Sequence, residues 1–322
     1  MATFDELKKV QTSCEADLLS KTGVHGVGIG YKTVAGKPTD QLAIVVLVDD
    51  KLAPDELSAE DMIPPGIAGV ATDVVEHGRF ERATRMLAAS EIDNSQRRPL
   101  VGGCAISADP PPVTPPPGRF WAGTLGGFAQ TIPDPPMFPW SVGVSCYHVL
   151  GPLVGHKGSH VLQQAGGPQV SQVTASVRDP EMGVDASGFA GLIQGTSYKN
   201  SILGYGTVTG SHPVDSSDLY KTVFKSGIAS GQTNGVLRFL NVSALVDGVL
   251  WKHQLLVDGA FADHGDSGSF VLLPDPSGQG LYLVIGLLMG KVDGDGPQAG
   301  IANLIGNVET ALGIQFPAPA VG

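Results

Sequence analysis

The pentapeptide Gly265-Asp266-Ser267-Gly268-Ser269 stands immediately before the apolar run Phe270-Val271-Leu272-Leu273. Glycine on either side of a serine permits a tight turn, because glycine adopts backbone angles that other residues avoid. A serine in such a turn is well placed to face a cleft. The string alone is a weak signal, since short glycine–serine patterns also occur at ordinary loop tips. Its meaning depends on what else the chain carries.

A histidine and an aspartate precede this serine in two other segments. These are Ser145-Cys146-Tyr147-His148 and, further along, Gly183-Val184-Asp185-Ala186. A serine hydroxyl is a poor nucleophile at neutral pH and needs a base within hydrogen-bond reach. An imidazole, with a pKa of about 6.5, takes and returns a proton near neutrality, and a carboxylate orients it. The sequence therefore predicts a catalytic triad of His148, Asp185 and Ser267.

The same turn carries candidates for stabilising the oxyanion of an acyl-transfer intermediate. Backbone N–H groups in a glycine turn are fixed donors with no Cβ to block approach. We expect the N–H groups of Gly265 and Ser267 to serve as these donors. Taken singly, the serine could mark a loop tip, His148 a buried core residue and Asp185 a plain turn. Their occurrence together, in this order and within a region typical of β-structure, favours the triad.

Composition predicts a mainly β protein with a sizeable core. Of the 322 residues, 42% are hydrophobic and only 16% are charged, which argues against disorder. The chain has 44 glycines and 24 prolines. They lie between short apolar runs, a pattern typical of many strands joined by tight turns.

Charge and hydropathy exclude several classes of partner. The net charge is −11 and no basic stripe is present, so we expect no nucleic-acid partner. No window approaches the roughly 18 consecutive apolar residues of a membrane helix, so we expect no membrane association. Three cysteines and the absence of an apolar signal segment favour the cytoplasm. No cofactor or metal is expected either, because Asp293-Gly294-Asp295-Gly296 lacks the remaining ligands of an EF-hand loop.

Three regions differ in character along the chain. Residues 1–80 combine a helical pattern over residues 4–20 with three strand patterns, which predicts a small α+β N-terminal subdomain. Residues 81–97 are charged and are expected to form a partly helical connector. Residues 98–322 hold many short strand patterns and end in a closing helix over residues 303–312.

Two parts of the chain are candidates for contact with a regulatory partner. The Pro-rich loop 109–117 is expected to be stiff and exposed, because proline lacks the N–H that a strand ladder needs. Such a loop is either a spacer or a polyproline ligand. The N-terminal subdomain could inhibit, recruit or only stabilise the remainder, and the sequence leaves these alternatives open.

The region from Arg98 to the end resembles the trypsin/chymotrypsin-like serine peptidases, in particular bacterial, intracellular-type members with an extra N-terminal region. The resemblance rests on the segments around His148, Asp185 and Ser267, and on the Lys-x-Gly and Thr-x-Gly elements of the stretch 223–235. It implies a chymotrypsin-like double β-barrel of two six-stranded barrels with the active site between them. The histidine and aspartate would come from the first barrel and the serine from the second.

The resemblance implies a serine endopeptidase that hydrolyses peptide bonds through an acyl-enzyme, with a protein or peptide as its substrate. It also implies a substrate pocket with Phe261 at the floor, followed by Ala262, and with Leu288, Met289 and Gly290 along the wall. The alternative is a catalytically quiet peptidase-like scaffold or regulatory interaction module, in which the oxyanion donors are unformed or the cleft is blocked.

Asp266 raises the question of what stabilises residues 265–269, the turn that carries the predicted nucleophile and is called the nucleophile turn below. In secreted members of the family, a newly exposed N-terminus pairs with the aspartate before the nucleophile. The nearest equivalent start here is Leu100-Val101-Gly102-Gly103, but it follows Arg98-Pro99, and cleavage in front of proline is poor. We therefore expect Asp266 to find its partner inside the folded chain.

The predicted pocket yields a test of substrate preference. Because Phe261 provides no carboxylate at the floor, we expect cleavage after small or apolar residues rather than after arginine or lysine. A peptide library varied at the residue before the scissile bond measures this preference. Dominant cleavage after arginine or lysine would show that the pocket is wrongly placed.

Overall fold

The computed structural model describes residues 2–83, 86–111, 114–132, 140–151 and 159–316. Its α-helices are α1 Phe4–Leu19, α2 Tyr147–Leu150 and α3 Ile305–Leu312, and 3-10 turns span Pro54–Glu56, Ala89–Glu91 and Ser216–Asp218. The strands, in chain order, are β1 Val24–Val34, β2 Lys37–Val48, β3 Gly66–Ile67, β4 Val70–Glu76, β5 Phe80–Arg82, β6 Met86–Ala88, β7 Leu100–Gly102, β8 Ala105–Asp109, β9 Arg119–Trp121, β10 Gly123–Thr124, β11 Gly127–Thr131, β12 Ser141–Ser145, β13 His160–Leu162, β14 Gln169–Asp179, β15 Val184–Ala190, β16 Tyr198–Ile202, β17 Thr207–Ser211, β18 Thr222–Gly227, β19 Gly231–Val246, β20 Val249–Ala262, β21 Phe270–Pro274, β22 Leu281–Val292, β23 Gln298–Leu304 and β24 Ile314–Gln315.

The later strands close into a barrel. Strand β19 pairs with β18, β18 with β21, β21 with β22, β22 with β23, β23 with β20, and β20 returns to β19. Side chains such as Val257, Val271 and Leu288 lie in one cluster of this barrel and are fully buried. Closure leaves no free edge among these six strands.

The earlier strands close in the same way. Strand β8 pairs with β13, β13 with β14, β14 with β15, β15 with β12, and β12 with β11. Only two residues separate β11 from β10, and β10 pairs back to β8. Val144, Val161 and Phe189 are fully buried in the core of this barrel. The expected mainly β, double-barrel fold is therefore confirmed.

The N-terminal strands extend the sheet of the second barrel. β1 pairs antiparallel with β19, with Gly26 opposite Ala244 and Val27 opposite Ser243. β2 pairs with β1, and β4 runs parallel to β2. The helix α1 covers this sheet with Leu7 and Leu18, and the Gln11 amide donates to the Asn241 carbonyl at 2.8 Å. The first residues of the chain thus join strands contributed more than two hundred residues later.

Two expectations about local structure were wrong. The connector 81–97, expected to be partly helical, contains in its described residues the end of β5, the strand β6 and a 3-10 turn. Pairing to β22 and β9 accounts for this, because ladder hydrogen bonds outweigh a weak helical preference. The closing helix begins at Ile305 rather than at residue 303, because residues 298–304 form β23 on the barrel wall.

Other features concern the loop, the thiols and the helices. Residues 112 and 113 of the Pro-rich loop lie outside the described residues, and its remaining part forms no strand after Asp109. Cys14, Cys104 and Cys146 are all buried free thiols. In the described ranges, no helix has both the length and the apolarity needed to cross a bilayer.

The β1–β19 ladder leads to a prediction for a truncated chain. A variant that starts at Arg98 loses β1 and α1 and exposes the edge of β19, which would invite aggregation. We expect it to be insoluble or to lack a cooperative thermal transition, while the full chain, refolded in parallel, shows one. A monodisperse truncated chain that melts cooperatively would mean that the N-terminal strands are dispensable for folding.

Candidate active site

His148 and Asp185 meet inside the first barrel. β12 ends at Ser145, and the single turn α2 follows and carries His148, while Asp185 lies on β15. His148 Nδ1 and Asp185 Oδ2 form a short hydrogen bond between residues that are 7% and 1% exposed. The Trp121 indole N–H donates to the His148 carbonyl at 3.0 Å and holds the turn in place. The Nδ1–Asp185 hydrogen bond orients the imidazole ring, so Nε2 is the ring nitrogen that it leaves available.

Asn303 connects Asp185 to the second barrel. The backbone N–H of Asp185 donates to Asn303 Oδ1 at 3.0 Å, and Asn303 Nδ2 donates to the Leu287 carbonyl at 3.1 Å. Asn303 is fully buried on β23. Sequence reasoning missed this residue, because a single asparagine in an apolar stretch carries no motif.

Ser267 lies on the turn between β20 and β21. Gly265 and Gly268 have φ angles of 110° and 96°, in the region that favours glycine. A Cβ atom on Gly268 would lie 2.2 Å from the Thr124 carbonyl oxygen, so the turn also needs glycine for close approach. The predicted turn is therefore present, and its backbone conformation and close packing require glycine at both positions.

Thr124 fastens this turn to the first barrel. Its N–H donates to the Ser267 carbonyl at 2.8 Å, and its hydroxyl donates to the Gly265 carbonyl at 2.9 Å. The hydroxyl in turn accepts from the Ile228 N–H at 3.1 Å. One fully buried threonine thus binds the nucleophile turn from the opposite barrel.

Asp266 is paired inside the folded chain, as expected. Its fully buried carboxylate accepts from Lys225 Nζ at 2.5 Å and from the N–H groups of Ala229, Ser230 and Asp263 at 3.0, 3.2 and 2.9 Å. The Ser230 hydroxyl also donates to it. A lysine from β18 therefore holds the aspartate, so the turn needs no new N-terminus.

The charge state of this pair follows from its surroundings. Burial alone would raise the pKa of Asp266, but the Lys225 ammonium and the Ser230 hydroxyl outweigh burial and hold it below its ordinary value. Burial also lowers the pKa of Lys225, against the opposing effect of Asp266. The ionised carboxylate adds stability above the ordinary aspartate pKa of about 4, and that contribution is lost as the pH falls through its lowered folded value.

The Ser267 hydroxyl and His148 are not hydrogen-bonded to each other. The Ser267 hydroxyl donates to the Met289 carbonyl at 3.0 Å, and His148 Nε2 is buried with no partner among the described residues. The neighbouring Leu288 carbonyl accepts both from the Gly268 N–H at 2.9 Å and from Cys146 Sγ at 3.1 Å. The nucleophile turn therefore abuts the segment that carries the histidine.

The first predicted oxyanion donor is already engaged. The Gly265 N–H donates to the carbonyl oxygen of Ala83 at 2.7 Å. The Ala83 N–H donates to the Met289 carbonyl at 3.3 Å, the same oxygen that accepts the Ser267 hydroxyl. A peptide unit of the connector thus occupies the N–H group that the sequence predicts as an oxyanion donor.

The predicted pocket residues divide between core and cleft. Phe261, Ala262 and Leu288 pack in the core of the second barrel and are fully buried, as is Met289. Gly290 faces the connector, since a Cβ atom there would lie 2.4 Å from the Glu81 carbonyl oxygen. The strand β22 is present as predicted, while the pocket and the role of these side chains in specificity stay predictions.

One metal-type cluster occurs among the described residues, and it overlaps this site. The ligand atoms of Cys146, His148 and Asp185 lie within 4.8 Å of one another. Burial and the nearby Asp185 charge raise the pKa of the Cys146 thiol well above its ordinary value, and the thiol donates to the Leu288 carbonyl. Because a metal ligand must be the thiolate, these features favour a hydrogen-bonded thiol over a metal site.

Comparison with solved structures finds bacterial serine proteases. A glutamic-acid-specific serine protease matches 68% of this chain and 100% of its own, at 14% identity and a TM-score of 0.49. Thermobifida fusca protease A matches 68% and 98%, at 16% identity and a TM-score of 0.48. A Nocardiopsis protease matches 68% and 98%, at 18% identity and a TM-score of 0.47. No protein-family model and no curated protein matches the sequence.

The Lys225–Asp266 pair yields a stability test. Lys225→Met leaves a buried carboxylate unpaired, which costs about 3–5 kcal/mol of unfolding free energy. The matched control Lys199→Met, at an exposed lysine, should change it by less than about 0.5 kcal/mol. Denaturant unfolding of both variants measures the difference, and equal effects would show that the pair does not hold the turn.

Proposed function

We propose that this protein is a serine endopeptidase in which His148, Asp185 and Ser267 act together between the two barrels. One observation carries the proposal: His148 bonds to Asp185 through Nδ1, while its Nε2 is buried with no hydrogen-bond partner among the residues that the structure describes. An unpaired buried imidazole nitrogen is unfavourable in a purely structural role, because desolvation is not repaid by a hydrogen bond. Rotation of the Ser267 hydroxyl from Met289 to Nε2 would repay it.

The proposed reaction follows from these positions. The Ser267 hydroxyl attacks the carbonyl carbon of a peptide bond and gives its proton to His148 Nε2. Asp185 orients the imidazole and stabilises its protonated form. The negatively charged oxygen is met by the N–H groups of Gly265 and Ser267, held in place by the Lys225–Asp266 pair. The imidazolium then protonates the leaving nitrogen, and water releases the acyl group from the serine.

A quiet scaffold remains the second candidate, and a specific observation favours it. The connector peptide Glu81–Ala83 lies on β22 and occupies the Gly265 donor. A cleft that stays filled would bind no external peptide, and the protein would then act through its surface. The two candidates differ in whether a small electrophile reaches and modifies Ser267.

The proposed setting is a reducing compartment such as the cytoplasm, with a peptide or protein as substrate. Three buried free thiols support this setting, since none is committed to a disulfide. We also propose a regulatory partner that binds residues 1–80 or the Pro-rich loop, as the sequence predicts.

Active-site labelling tests the proposal. A fluorophosphonate probe should modify the full chain at Ser267, and Ser267→Ala and His148→Ala should abolish this modification. Ser269→Ala is the matched control, because the Ser269 hydroxyl donates to the backbone carbonyl of Asp266; this variant should keep the labelling. Mass spectrometry of the modified peptide identifies the residue.

The outcomes separate the two candidates. Labelling at Ser267 that depends on His148 supports the endopeptidase. Absent labelling in a correctly folded chain supports the quiet scaffold. Labelling that persists in Ser267→Ala at an unrelated serine contradicts the proposed site.

A further inference from the structure

A groove lies between the N-terminal sheet and residues 49–63, the segment that follows β2 and that we call the arm. Its volume is about 430 Å³. The sheet side of the groove is formed by Val24, Val48 and Val74, which belong to the apolar cluster beneath α1 or pack against it. Among the described residues that line the groove, none belongs to the candidate active site.

Hydrogen bonds hold the arm in place over the groove. The Asp61 carboxylate accepts from the Thr22 N–H at 2.9 Å and from the Ser58 hydroxyl at 2.7 Å. The Lys21 ammonium donates to the Glu60 carbonyl oxygen at 2.5 Å. The groove is therefore formed before a ligand arrives, and a ligand does not have to supply the free energy that orders it.

The groove presents apolar side chains to solvent. Leu52 and Met62 are 49% and 45% exposed, and they line the groove together with the half-buried Leu57 and Ile63. Large apolar side chains that are exposed together, rather than singly, mark surfaces that bind another molecule. Apolar groups of a partner would remove this area from water, which is the main favourable contribution to protein association.

Four carboxylates surround these apolar side chains, and they belong to Asp49, Asp50, Glu56 and Asp61. One of them already binds a cation of this chain, because Asp49 accepts two hydrogen bonds, of 2.7 and 2.6 Å, from the Arg79 guanidinium. In the described ranges, the other three form no ion pair with a lysine or an arginine. The groove therefore has three carboxylates left for the cations of a ligand.

Two lysines lie near these carboxylates, and each donates to a backbone carbonyl. Lys51 lines the groove and donates to the Val74 carbonyl at 3.0 Å. Lys21 lies near Asp61 and donates to the Glu60 carbonyl. Carboxylates still outnumber the cations around the groove, and the net charge of −11 on the whole chain attracts a basic partner from a distance.

From these features we infer that the groove binds a basic, apolar segment of a partner protein, in which arginines or lysines flank two or more large apolar side chains. The apolar side chains of the partner cover Leu52 and Met62, and its cations bind the three carboxylates that have none. A second copy of this chain is a poor occupant, because both copies carry the same negative charge. The inference narrows the proposed regulatory partner to one surface and one chemistry, and it uses no catalytic residue.

Selection from a random peptide library tests the inference. Phage-displayed dodecapeptides are selected on the immobilised full chain and counter-selected on the double variant Leu52→Ser/Met62→Ser, so that the peptides that remain need the groove. We expect these peptides to carry a net positive charge and at least two large apolar residues. The most enriched peptide, labelled with a fluorophore, is then the probe for anisotropy titrations.

Variants of the groove should bind this probe more weakly than wild type. Asp50→Lys places a like charge beside the cations of the peptide and Met62→Ser removes apolar contact, so each should raise Kd about fivefold or more. Asp295→Lys and Val34→Ser, at exposed positions outside the groove, are the matched controls and should change Kd by less than about twofold. Thermal unfolding of all four variants checks that each is folded. Added salt should weaken binding to wild type, because it screens exposed charges.

Several outcomes would overturn the inference. A counter-selected pool with no enriched peptide does so, as does one whose peptides are neutral or acidic. Probe binding that is unchanged in both Asp50→Lys and Met62→Ser does so too. Sedimentation of wild type tests the other occupant, since a dimer that Met62→Ser dissociates would assign the groove to a second copy. Fluorophosphonate labelling of Ser267 in the same preparation reports on the proposed function separately.

Discussion

The buried ion pair between Lys225 and Asp266 is the contact on which the site depends. It lies directly beside the nucleophile, and the aspartate also accepts hydrogen bonds from the backbone of residues 229, 230 and 263. These bonds fix the turn in which Gly265 takes a positive φ and donates its N–H to the Ala83 carbonyl. A donor fixed before the reaction stabilises a developing charge without first having to reorganise.

A second constraint comes from the seam between the barrels. His148 and Asp185 belong to the first barrel and Ser267 to the second, so the site exists only where the two are held together. Thr124 and Asn303 provide that connection with fully buried hydrogen bonds. Buried polar groups of this kind define a single arrangement, because any slippage would leave them unpaired.

Sequence reasoning predicted the fold correctly because strands leave local signals, and local signals of the same kind mark the candidate triad, which stays a prediction. Short apolar runs between glycines indicate strands, and residues such as Ser267 and Lys225 lie in recognisable motifs. It failed for Asn303 and for the connector, since their environment is set by long-range pairing. The segment Phe80–Arg82 has no strand pattern of its own and becomes a strand only because β22 lies beside it. No local pattern predicts that the Ala83 carbonyl reaches Gly265.

The position of that carbonyl gives the N-terminal region a physical relation to the site. The N-terminal region joins the second barrel through β1 and reaches the candidate site through β5. Folding of the barrel and occupation of the site by the connector are therefore linked. Within the described part of the chain His148 Nε2 has no hydrogen-bond partner, and the Ser267 hydroxyl donates to Met289. The proposed function requires a hydrogen bond between these two groups, which this arrangement does not contain.

The most direct measurement is a crystal structure of the full chain after reaction with a peptide boronic acid that ends in a boronic analogue of alanine. The account predicts a bond from Ser267 Oγ to boron, a boronate oxygen on the Gly265 N–H in place of the Ala83 carbonyl, and His148 Nε2 hydrogen-bonded within the adduct. An unmodified serine with Ala83 still on Gly265, or boron bound elsewhere, would contradict it.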